Sequence, residues 1–323
     1  MTTPAIELTS VTKRFREKVA VDHLDLVVPQ GSVCGFLGPN GAGKTTTIRM
    51  IMSILFPNEG QISVLGKRSA VESKDRIGYL PEERGVYRKM KVGEFLTFMA
   101  KLKGADAHGL KKRIESELER IGLPDVWTKR NEELSKGMQQ KVQFLATILH
   151  DPELIILDEP FSGLDPVNAR LLRQLINELH DEGRTIIFST HVLYSAEQLC
   201  DRVFMINKGR KVLDGSVDEI RAEFDPRTIV VEPMTGTADT EALAGMPEID
   251  HVRQNTDNTL ELTLAGGIDP QRAMGAIAQT NSMRRIELRR ATLEDVFVHL
   301  VEPGDSEDIL RAELSGAGAG GES

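Results

Sequence analysis

Cysteine is scarce in this 323-residue chain, which has only Cys34 and Cys200. Two thiols so far apart make neither a disulfide framework nor a cysteine metal cluster, and the expectation is two reduced cysteines in a cytoplasmic protein. No run of residues approaches the ~18 consecutive apolar positions that a membrane-spanning helix needs. Met1 to Ser10 lacks the charged-then-apolar order of a secretory signal. A soluble chain is therefore expected, with any membrane path on another chain. Positive charge is also short: 40 lysines and arginines stand against 49 acids, a net charge of −9. That balance leaves no electrostatic footprint for nucleic acid. The basic stretch Lys111-Lys112-Arg113 alternates with acids around the apolar period Ile114, Leu118 and Ile121, the pattern of a helix with a solvated charged face. A chain of this length holds a large core and a smaller second domain.

What is present is concentrated between Gly38 and Thr46, where the chain reads Gly-Pro-Asn-Gly-Ala-Gly-Lys-Thr-Thr. This fits the phosphate-cradle pattern G-x-x-x-x-G-K-[ST], with Gly38, Gly43, Lys44 and Thr45 at the defining places. Glycines let successive N–H groups of the loop, through Asn40, Gly41, Ala42 and Thr46, turn toward one phosphate without side chains in the way. Lys44 supplies positive charge to the β- and γ-phosphates, and the Thr45 hydroxyl is placed to ligate Mg2+. The preceding Ser32–Leu37 has the composition of a buried strand, and Thr46–Met52 that of a helix. A helix starting here aims the positive end of its dipole at the same anion. Strand, glycine loop and helix together point to a nucleoside triphosphate as ligand.

A second acidic position follows from Leu154-Ile155-Ile156-Leu157-Asp158-Glu159. Four apolar residues suit a strand buried on both faces of a parallel sheet, and acids at its carboxyl end emerge where ligands bind in open α/β sheets. Asp158 is placed to hold Mg2+ through water, and Glu159 to take a proton from an attacking water.

Further along the chain, Leu134-Ser135-Lys136-Gly137-Met138-Gln139-Gln140 resembles the LSGGQ signature of ATP-binding-cassette (ABC) ATPases. Ser162-Gly163-Leu164-Asp165 resembles that family's D-loop, and Ser189-Thr190-His191 its switch histidine. The motifs also follow one another in the family's order. The resemblance covers residues 5–222 and implies ATP and Mg2+ as ligands. It further implies two such domains sandwiching two ATP molecules head to tail, each site pairing Lys44 and Glu159 of one chain with Ser135 and Gly137 of the other. A serine hydroxyl and a glycine backbone at a helix N-terminus suit a γ-phosphate arriving from the partner. By the same resemblance Asp165 belongs to the nucleotide site, His191 contacts the γ-phosphate and orients the water, and Phe15 stacks on adenine.

Three positions, in two segments, depart from the family pattern. Lys136 and Met138 replace a glycine and a glutamine of the signature, while Ser135 and Gly137 are kept. In Leu80-Pro81-Glu82, Glu82 occupies the place of the Q-loop glutamine, offering an oxygen ligand to metal and water but with a charge.

Residues 83–133 read mostly helical, and the resemblance implies that they form the family's helical subdomain, which docks on a membrane partner. Val86, Tyr87, Met90, Phe95, Phe98 and Met99 supply its apolar residues, mostly as core with one or two left for docking. After Asp225 the pattern changes. Strands are expected at Thr228–Val231, Asp250–Gln254, Thr259–Leu264 and Arg285–Arg289, with a turn at Asp257-Asn258, and helices at Asp239–Ala244, Asp269–Thr280 and Leu293–Val301. That order is ferredoxin-like. Thr292-Leu293-Glu294-Asp295-Val296-Phe297 resembles the end of the small C-terminal domain in the drug- and sodium-exporter group of ABC ATPases. The tail from Ser315, rich in Gly and Ala, is expected to be disordered.

The expectation is thus an α/β P-loop ABC domain over 1–224 with its helical subdomain, an α+β ferredoxin-like domain over 225–302, and a flexible tail over 303–323. Function follows from the resemblance: an ATPase powering an exporter, as a homodimer or heterodimer on a separate transmembrane permease at the inner face of the membrane. The alternative is a soluble ABC ATPase acting on a non-membrane macromolecule.

Overall fold

The computed structural model describes residues 3–83, 85–224, 227–234, 240–255, 259–280 and 282–300. The tail 303–323 and the turn Asp257-Asn258 lie outside the described residues. The chain divides into two compact units, the second beginning at Asp218.

Along the first unit run β1 (Ile6–Phe15), β2 (Lys18–Val28), β3 (Val33–Leu37), α1 (Lys44–Ile51), β4 (Glu59–Val64), β5 (Ile77–Leu80), α2 (Val92–Leu102), α3 (Leu110–Arg120) and α4 (Lys136–Ile148). There follow β6 (Leu154–Asp158), α5 (Pro166–Asp181), β7 (Thr185–Thr190), α6 (Leu193–Leu199), β8 (Arg202–Asn207) and β9 (Arg210–Ser216). Six strands make one sheet in the order β5-β6-β7-β3-β8-β9. Neighbours pair in parallel as far as β8, and β9 closes the edge antiparallel. Every residue of β3, β6 and β7 is buried. Their near-continuous apolar runs, rather than an alternating pattern, have the same cause: helices cover both faces of a parallel sheet. A separate antiparallel sheet, β2-β1-β4, contributes Leu8, Leu24 and Leu26 to a core shared with Phe36, Ile48 and Ile156.

Sheet order is what assembles the site. Strand β7 lies between β3 and β6, with Leu37 opposite Thr190 and Asp158 opposite Ser189. The carboxyl ends of β5, β6, β7 and β3 therefore stand side by side, carrying in turn Glu82, Asp158-Glu159, Ser189–His191 and the glycine loop.

Between β5 and α4, helices α2 and α3 pack through Phe95, Leu96, Ile114 and Leu118, all buried. Phe95 is core as expected, whereas Tyr87 (55 % exposed) and Phe98 (43 %) face outward and stack edge to face 6.0 Å apart.

The second unit holds α7 (Val217–Glu223, of which Val217 belongs to the first unit), β10 (Thr228–Pro233), α8 (Thr240–Ala244), β11 (Ile249–Gln254), β12 (Leu260–Leu264), α9 (Pro270–Thr280), β13 (Met283–Leu288) and α10 (Leu293–Leu300). Its antiparallel sheet has the order β11-β12-β10-β13, the split βαβ arrangement of ferredoxin-like folds. Alternation makes the core: Ile229 and Val231, then Leu260, Leu262 and Leu264, point to one face, where Leu243, Ala273 and Ile277 of α8 and α9 meet them. The expected division after residue 224 falls at the far end of α7, one helix later than the division between the compact units.

Candidate functional site

Three backbone turns at the strand ends build the site. The first is the loop after β3. Gly38 has φ 146°, and a Cβ there would stand 2.2 Å from the Ile206 carbonyl oxygen. Gly43 has φ 115°, and its Cβ would lie 2.6 Å from the Ala20 oxygen. Only glycine fits both positions. The loop is pinned from behind by Gly209 N–H donating to the Ala42 carbonyl (2.9 Å). Helix α1 starts immediately at Lys44, so its free N–H groups open onto the loop.

The second turn follows β6. Glu159 has φ 49°, a left-handed conformation that is uncommon for residues other than glycine and costs strain. Its N–H donates to the Ser189 side chain (3.0 Å), and also toward the Ser189 carbonyl oxygen (3.2 Å). The same Ser189 hydroxyl donates to Asp158 Oδ1 at 2.5 Å. One serine of β7 thus fixes both acids of β6. The third turn, after β7, carries His191, whose Nδ1 lies 3.0 Å from Glu159 Oε2. A carboxylate only accepts, so Nδ1 carries the proton.

Lys44 completes the group. Its Nζ is 3.4 Å from Glu159 Oε1 and donates to the Gly38 carbonyl (2.7 Å). Both partners are nearly buried, at 5 % and 8 % exposure, so neither charge is left to water and each depends on the other. The hydrogen bond to Glu159 raises the His191 pKa against the opposing effect of burial. Burial raises that of Asp158, with the Glu82 charge acting in the same direction. Asp158 Oδ2 is buried and has no hydrogen-bond partner, while the Thr45 hydroxyl donates to its Oδ1 at 3.4 Å. A hydroxyl, an unsatisfied carboxylate oxygen and the nearby Glu82 form an all-oxygen donor set of the kind Mg2+ takes. Among the described residues no group of three or more His, Cys, Asp and Glu could hold a metal ion. Mg2+ at this place would need phosphate oxygens to complete its shell.

Lys44, Thr45, Glu82 and Glu159 open on a cleft of about 320 Å³ that Phe15, Asn40, Gly41, Gly43 and Thr46 also line, whereas Asp158 and His191 are not among its lining residues. Phe15 is 45 % exposed, not core, with Lys13 Nζ 5.2 Å from its ring centre. Lys18 and Ala20 of β2 also line the cleft; nothing in their local sequence marks them. A larger groove of about 690 Å³ beside β1, β4 and the end of α1 carries no comparable set of charged groups. Ser135, Gly137 and Asp165 do not line the cleft. Ser135 caps α4 by accepting from Met138 N–H (3.3 Å), Asp165 caps α5 by accepting from Asn168 N–H (2.9 Å), and Gly137 faces Asn168.

A family model described as ABC transporter matches residues 21–162, and a second, described as ATP-binding protein DrrA1-3-like, C-terminal domain, matches 215–301. The uncharacterized ABC transporter ATP-binding protein YhaQ of Bacillus subtilis is 40 % identical over 296 residues, 92 % of this chain and 98 % of its own. The chain belongs to the ABC transporter ATP-binding proteins. Daunorubicin resistance ATP-binding protein DrrA3 of Streptomyces coeruleorubidus is 33 % identical to this ABC protein over 97 % of this chain and 100 % of its own. A solved structure of an ATP binding subunit of an ABC transporter superposes with a TM-score of 0.64 at 32 % identity, covering 69 % of this chain and 93 % of that one. This ABC protein is accordingly an ATPase that binds ATP and serves as the ATP-hydrolysing subunit of a transporter. Among the described residues no helix is long and apolar enough to cross a membrane. Proteins of this family dimerise and work with membrane permease partners.

Proposed function

We propose that this chain drives an exporter: two copies, or one copy and a related subunit, close on two ATP molecules beneath a permease carried on another chain, at the inner face of the membrane. The observation that carries the reading is the grouping of Lys44, Glu159 and His191 at the ends of three adjacent parallel strands. The DrrA-like C-terminal domain and the relative named for daunorubicin resistance support export. We assign the ATP-binding domain to 1–224, with a helical subdomain at 83–133, and a C-terminal domain to 225–302.

In this reading the backbone N–H groups of 40–46 and the Lys44 ammonium hold the β- and γ-phosphates, and Phe15 offers its exposed ring to adenine. Lys44 now divides its charge between Glu159 and the Gly38 carbonyl; a γ-phosphate competes for the same ammonium. Glu159 then loses its lysine partner, keeps the hydrogen bond to His191, and takes the proton of the attacking water. His191, protonated at Nδ1 toward Glu159, presents its other ring nitrogen to water or phosphate. Thr45, Asp158 and Glu82 would hold Mg2+, which when bound neutralises charge developing on the phosphates. Ser135 and Gly137, outside the cleft of their own chain, are left to meet the partner's γ-phosphate beside Asp165.

A detergent pull-down from native membranes with tagged Glu159→Gln protein and Mg-ATP tests the transporter reading. Recovery of a stoichiometric integral membrane protein is expected. Recovery of soluble partners alone, with the bait absent from membranes, would overturn it in favour of a soluble ABC ATPase.

A further inference from the structure

Helix α4 is capped by Ser135 and carries glutamines at 139, 140 and 143. Each reaches a different backbone carbonyl outside the helix. Gln139 Nε2 donates to the carbonyls of Asn131 (2.9 Å) and Leu134 (3.0 Å), Gln140 Nε2 to Pro160 (2.6 Å), and Gln143 Nε2 to Glu83 (3.5 Å). Gln140 is the one tied to the chemistry, since Pro160 is the residue directly after Glu159. It is 8 % exposed, and its own carbonyl oxygen is buried with no partner. A buried amide with half its capacity unused costs stability that an apolar side chain of the same size would not. Its position is therefore difficult to explain as packing alone.

Pro160 offers no N–H of its own and sits between the left-handed Glu159 and the turn that leads to α5. A hydrogen bond at its carbonyl holds the Pro160–Phe161 peptide, the second one after Glu159, and so fixes the turn through which that carboxylate is placed. At the other end, α4 carries the Ser135 hydroxyl and the Gly137 backbone. Gly137 lies so close to α5 that a Cβ there would be 3.1 Å from Asn168 Nδ2. A rigid helix thus has one end at the signature residues and, little more than one turn along, a short bond to the turn bearing the base.

We propose that Gln140 is a positioning residue that carries the state of the signature serine to Glu159, so that nucleotide held by Ser135 at one site sets the base of the other. This rests on the head-to-tail dimer proposed above. Displacement of α4 by a γ-phosphate bound at Ser135 moves the Pro160 carbonyl through Gln140, and the two sites fire together rather than independently.

The test is a double-mutant cycle on the full chain with Ser135→Ala and Gln140→Met, reading kcat for ATP hydrolysis, the KM for ATP and ATP-driven dimerisation by light scattering. Gln140→Met keeps length and volume and removes the hydrogen bond. A tenfold or greater fall in kcat is expected, with KM changed less than about twofold and dimerisation retained. The double variant is expected to be no slower than the slower single one, because both act through one connection. A normal kcat in Gln140→Met, or losses that multiply in the double variant, would overturn the coupling. Should Gln140→Met fail to fold, Gln140→Asn keeps the amide but is one methylene too short to reach the Pro160 carbonyl, and the same outcomes apply. Dimerisation of Glu159→Gln with ATP checks the underlying reading separately. No dimer would overturn both, whereas a dimer with independent losses would overturn only the role of Gln140.

Discussion

Lys44 Nζ and Glu159 Oε1 lie 3.4 Å apart, both almost out of water, at the mouths of two strands that are separated by β7. Each is the other's counter-ion, and in the mechanism proposed above ATP competes for Lys44. Replacing Glu159 with Gln keeps the shape, removes the base and frees Lys44 for phosphate. ATP binding at wild-type strength or tighter is expected, with turnover slower by roughly 10²–10⁴, the usual worth of a general base. Single-turnover hydrolysis alongside nucleotide-binding isotherms measures both; near-normal turnover would remove Glu159 from the role.

Ser189→Ala probes the link between the two acids. It removes the donor to Asp158 Oδ1 and the acceptor for Glu159 N–H. Asp158, whose Oδ2 already lacks a partner, would keep only the longer bond from Thr45. A loss of about 1–3 kcal/mol in unfolding free energy is expected, the cost of stranding buried polar groups. Turnover should fall as well, since Glu159 loses a tether. Denaturant melts and ATPase rates read the two effects.

Two histidines should titrate on opposite sides of the ordinary value of 6.5. Glu159 raises His191, chiefly through the hydrogen bond at Nδ1, whereas burial lowers His150. The signs carry over to stability. The His191 contribution is complete below its unfolded-state pKa and is lost as pH rises through the higher folded value. His150 acts the other way, costing stability as pH falls below the ordinary histidine range. Side-chain nitrogen NMR of the two rings provides the check. Glu159→Gln should bring His191 down, and Glu82→Gln should do so by less, because Glu82 is the weaker contributor. A His191 midpoint at or below 6.5 in the unaltered chain would argue against the pairing.

Gly38→Ala would place a Cβ 2.2 Å from the Ile206 carbonyl oxygen at φ 146°. Backbone strain of about 1–3 kcal/mol is expected, with further displacement of the loop from β8. Loss of ATP affinity by tenfold or more should accompany a lowered Tm. Gly41→Ala is the control. Its φ of 78° carries strain, but nothing lies within 4 Å of the added carbon.

Much of this was legible from residue order. The glycine loop, Asp158-Glu159 and His191 each follow an apolar run that can only be a buried strand, and the parallel sheet brings the ends of such strands together. The alternating apolar positions of β10 and β12 likewise announce a small antiparallel sheet. Other features leave no trace in local pattern. Ser189 is an ordinary polar residue at a strand end until β7 is known to lie against β6. The left-handed turn at Glu159 is invisible because its constraint comes from that same serine. Gln140 lies in a run of glutamines whose separate partners appear only in three dimensions. What sequence conceals here is adjacency between distant segments.

The place of β7 between β3 and β6 also orders events in time. During synthesis the glycine loop and α1 emerge while their sheet neighbour is still unmade, and Glu159 appears before the serine that restrains it. Pairings of such long sequence separation form late and slowly. A chain whose sheet is incomplete would therefore hold the loop without the proposed base restrained, and hydrolysis is expected only once β7 has paired with β3 and β6.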